Sequence, residues 1–265
     1  MQPLYQVVSC GTPEMKGTIW LARRPRMLTD CPIPSITSGM SSRPIILFDL
    51  DGTLIDSERV AMEVTQKYFE AKGKPISSPD AHILVGRAWE PALKWILELY
   101  PLESTLEKVM EEVLTEYRRV LAEGVPEIKG SLAAVRSLMK DHRLGVVSGS
   151  HKEDILSVLC ALNLEGAFEV VVGFGDYEES KPSPEPYLEA LKRMGVKDEK
   201  ILVFEDSSAG IKAAQLAGLE VVAVGTPPEQ DSERPATSWK ISNFSEINEE
   251  WVRLRARPLR PRGGG

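Results

Sequence analysis

The stretch Ile45-Ile46-Leu47-Phe48-Asp49-Leu50-Asp51-Gly52-Thr53-Leu54 decides how this chain is read. Its first four residues form a continuous apolar run, as in a parallel strand buried on both faces. The run ends in two carboxylates one residue apart, at the end of the strand where open α/β sheets bind their ligands. Side chains alternate faces along extended backbone, so Asp49 and Asp51 can meet only as the chain leaves the strand. Gly52 permits a turn at that point. Two carboxylates so close repel each other and call for a cation, most naturally Mg²⁺ with its preference for oxygen ligands. Asp-Gly-Thr after a strand is by itself an ordinary turn. Three later segments give it weight.

Each of them brings polar groups to the site. The apolar run Leu144–Val147 ends in Ser148-Gly149-Ser150, where a hydroxyl and backbone N–H groups at a helix start can hold a phosphate oxygen. Lys181 lies in Glu179-Ser180-Lys181-Pro182-Ser183-Pro184, where prolines stiffen the loop and start the next helix. A fixed ammonium there can neutralise charge on a phosphate and on a carboxylate. The run Ile201–Phe204 ends in Glu205-Asp206-Ser207-Ser208-Ala209-Gly210, two more carboxylates that can complete an oxygen shell.

Between the first segment and the others the pattern is helical. Asp56-Ser57 suit a helix N-cap, Val60, Val64, Tyr68 and Ala71 follow a helical stripe, and Trp89–Tyr100 and Leu106–Leu121 read as two further helices. From Pro126 helices and strands alternate: helix Ser131–Lys140, strand Leu144–Val147, helix Asp154–Leu162, strand Phe168–Val172, helix Glu185–Met194, strand Ile201–Phe204, helix Ala209–Ala217, strand Glu220–Val224. Repeated βαβ units imply a parallel sheet wrapped by helices. The expected fold class is therefore α/β, a doubly wound, Rossmann-like core with an inserted all-helical cap. Residues 44–56 and 127–248 are assigned to the core, and 57–126 to the cap.

The four segments, in this order, resemble the haloacid dehalogenase superfamily in its branch with a helical cap after the first motif. The resemblance covers about residues 44 to 245. It implies an enzyme, a phosphoric monoester hydrolase, in which Asp49 is the nucleophile that forms an aspartyl-phosphate. Asp51 would be the general acid and then the base, with Lys181 steadying nucleophile and phosphate. Gly52, Thr53, Ser148, Gly149 and Lys181 would bind phosphate. Mg²⁺ would be held by Asp49, the Asp51 backbone carbonyl and Asp206, with Glu205 direct or through water. A carboxylate attacking a phosphate dianion faces like-charge repulsion, which Mg²⁺ and Lys181 would screen.

Within that family the Lys181–Leu188 and Val203–Gly210 segments look most like sugar-phosphate and glycerol-phosphate phosphatases, with phosphoglycolate phosphatases close behind. The substrate is then a small phosphorylated metabolite. The alternative is a phosphomutase similar to β-phosphoglucomutase, which returns the phosphoryl group to a sugar. Arg87, in Gly86-Arg87-Ala88-Trp89-Glu90, falls where relatives approach the substrate from the cap and can meet a second anionic or hydroxyl group. Trp89 is expected in the cap core, and His151 at an exposed helix start.

Composition sets the remaining expectations. A net charge of −7 argues against nucleic acid or an anionic membrane as the main partner. The three cysteines, Cys10, Cys31 and Cys160, are widely spaced and offer neither a disulfide framework nor a metal pair, which fits a cytoplasmic location. No apolar run approaches the roughly 18 residues of a membrane span. Residues 1–43, rich in Pro, Ser, Thr and Arg, read as a disordered or spurious leader with Met40 as another possible start. Residues 249–265, carrying Arg253, Arg255, Arg257, Arg260 and Arg262, read as a basic flexible tail. The expected assembly is a monomer or small homo-oligomer.

Overall fold

The apolar run Ile45–Phe48 is strand β1, completely buried at the centre of a largely parallel sheet. The computed structural model describes residues 43–84, 89–225 and 234–258. Around β1 lie β2 (Arg143–His151), β3 (Val170–Phe174), β4 (Lys200–Glu205), β5 (Val221–Val224) and β6 (Trp239–Ile241), in the order β3-β2-β1-β4-β5-β6. Chain order reverses at β1, so its C-terminal end opens at the crevice where doubly wound sheets bind ligands. In register, Phe48 stands beside Val146 of β2 and Phe204 of β4. Phe48 and Phe204 stack at 5.2 Å. One apolar layer takes Ile46 and Phe48 with Leu202 and Phe204, and the other takes Ile45 and Leu47 with Val203 and Tyr187. The alternation of the pleat thus feeds both faces from the same few residues.

The crossover helices are α5 (Ser131–Leu138), α6 (Lys152–Ala161), α7 (Glu185–Met194) and α8 (Ser208–Leu216). The cap, inserted after β1, contains α1 (Ser57–Ala71), the short α2 (Ser78–Ala81) with a 3₁₀ turn at His82–Leu84, α3 (Trp89–Leu99) and α4 (Leu106–Glu123). Asp56 caps α1, its side chain accepting from the Arg59 N–H. The buried stripe of α1 runs through Val60, Val64 and Phe69, with Tyr68 on its flank and Ala71 exposed. The core–cap connections pair with each other: Asp56 N–H donates to Pro126 O (2.8 Å) and Ile128 N–H to Leu54 O (3.0 Å). The Ser131 hydroxyl also donates to Leu54 O (2.6 Å). Helix α4 packs against α1 and α3 within the cap and against α6 of the core.

One boundary needs correction. The segment expected as a flexible tail from residue 249 begins instead with helix α9 (Glu249–Arg255) and strand β7 (Arg257–Pro258), which pairs antiparallel with the start of β4. Arg255 lies over the rings of Trp239 (4.6 Å) and Trp251 (4.0 Å). Its charge therefore ties α9 to the sheet edge by cation–π attraction. Residues 259–265, and the leader residues 1–42, lie outside the described residues.

Candidate active site

Three strand ends and one loop converge at Asp49, and the tightest contacts centre on Lys181. The Lys181 ammonium donates to Asp49 Oδ1 (2.7 Å), Glu205 Oε1 (2.5 Å) and the Val147 carbonyl (3.0 Å), so all three of its protons are placed. The Glu205 carboxylate is fully buried and fully engaged. Its Oε1 also accepts from the Tyr187 hydroxyl (3.2 Å), and its Oε2 accepts from Ser207 N–H (3.0 Å) and Ser207 Oγ (3.1 Å). A Cβ on Gly210 would stand 1.7 Å from Glu205 Oε1, so only glycine lets α8 begin against this carboxylate.

Asp206 is placed by the first motif. The Thr53 hydroxyl donates to Asp206 Oδ1 (2.7 Å), and the other oxygen lies over Gly52, where a Cβ would come within 2.3 Å. Gly52 has φ +80, a conformation that disfavours any larger residue. The Thr53 hydroxyl therefore positions the Asp206 carboxylate. Asp51 turns the other way, its Oδ2 accepting from Ser148 Oγ (3.1 Å) and Ser150 Oγ (2.9 Å). Ser148 Oγ in turn accepts from the Ser150 N–H (3.0 Å).

Electrostatics follow from one lysine facing several carboxylates. Burial pushes the Asp49 carboxyl well above the usual carboxylate range; Lys181 opposes this, while Glu205, Asp206 and Asp51 add to it. Burial, then the charge of Glu205, raises Asp206 to about 8 against the pull of its Thr53 hydrogen bond. Burial works against the charge on Lys181, but Asp49 and Glu205 outweigh it and hold the ammonium well above its ordinary value. Carboxylate oxygens of Asp49, Glu205 and Asp206 lie within 4.8 Å of one another. An all-oxygen set with surplus negative charge suits a hard divalent cation.

Above these groups a cavity of about 600 Å³ separates core from cap. Asp49, Asp51, Lys181 and Asp206 form its floor, Ser150, His151 and Phe174 one wall, and Trp89, Tyr117 and Arg118 the cap side. Arg118 of α4 bonds Asp154 of α6 (3.0 Å) across the mouth.

The model of the haloacid dehalogenase-like hydrolase family matches residues 46–224. The chain belongs to that family. Among curated relatives, the phosphorylated carbohydrates phosphatase of Thermotoga maritima is 34% identical over 179 residues, 66% of this chain and 82% of that one. The phosphoglycolate phosphatase of Aquifex aeolicus is 34% identical over 182 residues, 66% of this chain and 81% of that one. Among solved structures, a Thermotoga maritima protein assigned as a β-phosphoglucomutase superposes with a TM-score of 0.70 at 28% identity, covering 80% of this chain and 99% of that one. This haloacid dehalogenase-like hydrolase, of the helical-cap branch, is a phosphoric monoester hydrolase.

The hydrolase brings together Asp49, Asp51, Gly52, Thr53, Ser148, Gly149, Lys181, Glu205 and Asp206, all singled out from sequence. Arg87 lies outside the described residues. Trp89 is only partly buried and meets Tyr117 edge to face (5.0 Å) on the cavity wall, beyond the core packing expected for it. His151 is exposed at the start of α6, as expected, and lines the cavity as well. Two contributors escaped the sequence reading. Ser150 carries the same signal as Ser148, a hydroxyl at a strand end, two residues later. Tyr187 sits where an ordinary amphipathic helix puts its core residues, and nothing in the sequence distinguishes its hydroxyl.

Proposed function

We propose that this hydrolase is a Mg²⁺-dependent phosphatase acting in the cytoplasm on a small phosphate monoester: a sugar phosphate, glycerol phosphate or phosphoglycolate. The observation that carries the reading is the pair of aspartates in unlike surroundings. Asp49 is fixed to Lys181 on the charged floor, while Asp51 is held by two hydroxyls that a phosphate or a leaving oxygen can displace. Chemistry proceeds in two displacements. An Asp49 carboxylate oxygen attacks phosphorus while the ester P–O bond breaks, and Asp51 gives its proton to the departing oxygen. Asp51 then removes a proton from water, whose oxygen attacks phosphorus and breaks the bond to Asp49, releasing inorganic phosphate. Lys181 holds the nucleophile in place and offsets charge throughout, and Ser148 and Ser150 move from Asp51 to phosphate oxygens.

Asp49 and Asp206, with the Asp51 carbonyl, would hold Mg²⁺. Glu205 has four donors on its two oxygens, so it would act on the ion through water or charge. When bound, the ion neutralises charge on phosphate and nucleophile as phosphoryl transfer requires. A cytoplasmic setting fits the cysteine spacing, and among the described residues no helix is long and apolar enough to cross a membrane.

The similarity to the β-phosphoglucomutase-assigned structure supports a second reading, transfer of the phosphoryl group between positions of a sugar. Free phosphate release tests both. Glycerol 3-phosphate, phosphoglycolate, hexose 6-phosphates and β-glucose 1-phosphate are offered with and without Mg²⁺, with Asp49→Asn as control. Mg²⁺-dependent release that disappears in the variant is expected. Conversion of β-glucose 1-phosphate to the 6-phosphate without release would move the chain to the mutases. Release at an undiminished rate by Asp49→Asn would overturn the nucleophile assignment.

A further inference from the structure

We infer that His151 and Phe174 form a platform for a flat, uncharged ring on the leaving group of the substrate, an inference that rests on the phosphatase reading above. Strands β2 and β3 pair in register from Gly145↔Val170 to Val147↔Val172, lose register across Ser148–Ser150, and resume at His151↔Phe174. Such irregularities re-aim side chains and concentrate beside active sites. Here the break turns the serine hydroxyls toward Asp51 and sets an aromatic pair immediately beyond them. The rings of His151 and Phe174 meet edge to face, with centroids 4.9 Å apart and planes at 75°. Both line the catalytic cavity, yet Phe174 remains 53% exposed. The ring pair thus presents an uncovered aromatic surface to whatever occupies the cavity.

Aromatic side chains line the cap side of the cavity as well. Trp89 and Tyr117 of the cap line the same cavity, their ring centroids 5.0 Å apart. Among the described residues, the lysine and the arginine that line the cavity are both already paired. Lys181 is held by Asp49 and Glu205, and Arg118 by Asp154. Among these described residues a second anionic group on the substrate therefore finds no unclaimed ammonium or guanidinium. A planar ring set against these aromatic side chains gains both area burial and edge-to-face contact.

The test compares benzyl phosphate with cyclohexylmethyl phosphate, whose alkyl leaving oxygens are alike and whose rings differ in flatness, alongside glycerol 3-phosphate and phosphoglycolate. Benzyl phosphate is expected to show a kcat/KM about three- to tenfold above its cyclohexyl analogue, the range of an aromatic pair contact. Phe174→Leu is expected to lower the ratio of kcat/KM for benzyl phosphate to that for glycerol 3-phosphate by a similar factor. Titration of benzyl phosphate into Asp49→Asn reads the same preference as affinity, without turnover. Equal treatment of the two rings, a preference for phosphoglycolate, or an unchanged ratio in Phe174→Leu would overturn the platform while leaving the phosphatase reading intact. No Asp49-dependent release from any ester would overturn the phosphatase reading itself, and equal affinity of Asp49→Asn for both rings would still count against the platform.

Discussion

The floor of the active site and its roof are built on opposite plans. On the floor, the oxygens of Glu205 are all engaged, Lys181 has no proton left over, and Gly52 and Gly210 stand where a methyl group would collide with a carboxylate. The roof has none of this tightness. Trp89 and Tyr117 touch each other at the cavity wall, and the cap is tied to the core across the mouth by Arg118–Asp154, whose side chains remain 51% and 31% exposed. Chemistry that depends on charges placed within tenths of an ångström needs an over-determined support. Selection and release need a cover that moves, and exposed ion pairs give way at little cost.

Removing the centre of the floor should have the largest effect. Lys181→Met leaves Asp49 and Glu205 without their shared cation in a buried setting. Breaking such a pair costs about 3–5 kcal/mol, because the remaining charge is uncompensated. Turnover should fall about a hundred- to a thousandfold, comparable to losing a preorganised electrostatic partner. Chemical denaturation and phosphate release on the purified variant check both halves. Near-normal stability with near-normal turnover would mean that the lysine is only a surface partner of the carboxylates.

A smaller probe of the same region is Gly210→Ala. Its methyl group would overlap Glu205 Oε1, so the start of α8 or the carboxylate must shift. Overpacking of this kind costs about 1–3 kcal/mol. The displaced Glu205 should loosen Lys181 and lower kcat more than it raises KM. A change confined to KM would place the defect in the roof.

The floor was largely legible in the sequence because its parts follow a rule of position. Asp49, Ser148 and Glu205 each end an apolar run, and a parallel sheet brings all such ends to one edge. Tyr187 follows no such rule, since its spacing is that of any buried helix face. The strands Trp239–Ile241 and Arg257–Pro258 are too short to show a period, and α9 is read as tail because its arginines mask the apolar Trp251 and Val252. Trp89 and Tyr117 have the composition of cap core, and only the placement of α4 against α6 brings them to a cavity. Roof residues are selected by tertiary packing, which local pattern does not encode.

Metal addition sharpens the contrast without any catalytic readout. In the ion-free protein the folded chain retains protons on Asp49 and Asp206 that the unfolded chain releases near pH 4. Both groups are raised on folding, so stability should fall as pH rises from about 4 through about 8. Mg²⁺ competes with those protons and favours the ionised pair. Its stabilisation, about 2.7 kcal/mol at a hundredfold excess over Kd, should therefore be larger near pH 8.5 than near pH 5, a range chosen around the value of about 8 for Asp206. Thermal unfolding with and without Mg²⁺ at the two pH values reads the difference directly. Equal gains at both would separate the ion from these carboxylates.

The smallest effect is expected at the roof. Arg118→Ala removes a half-exposed ion pair that joins α4 to α6. Pairs of this kind contribute about 0.2–1 kcal/mol, so global stability should hardly change. The consequence should be kinetic. A cap with one tie fewer spends more time open, which weakens substrate retention but speeds product departure. KM should rise about two- to fivefold, within the range such a pair can shift an equilibrium, while kcat stays level or increases where release limits turnover. Asp154→Asn should reproduce the pattern, and the double variant should add little to either single one, since both remove the same contact. If instead Arg118→Ala lowered kcat as steeply as a change in the floor, the arginine would be reaching the substrate itself. The division between a rigid floor and a loosely tied roof would then have to be redrawn.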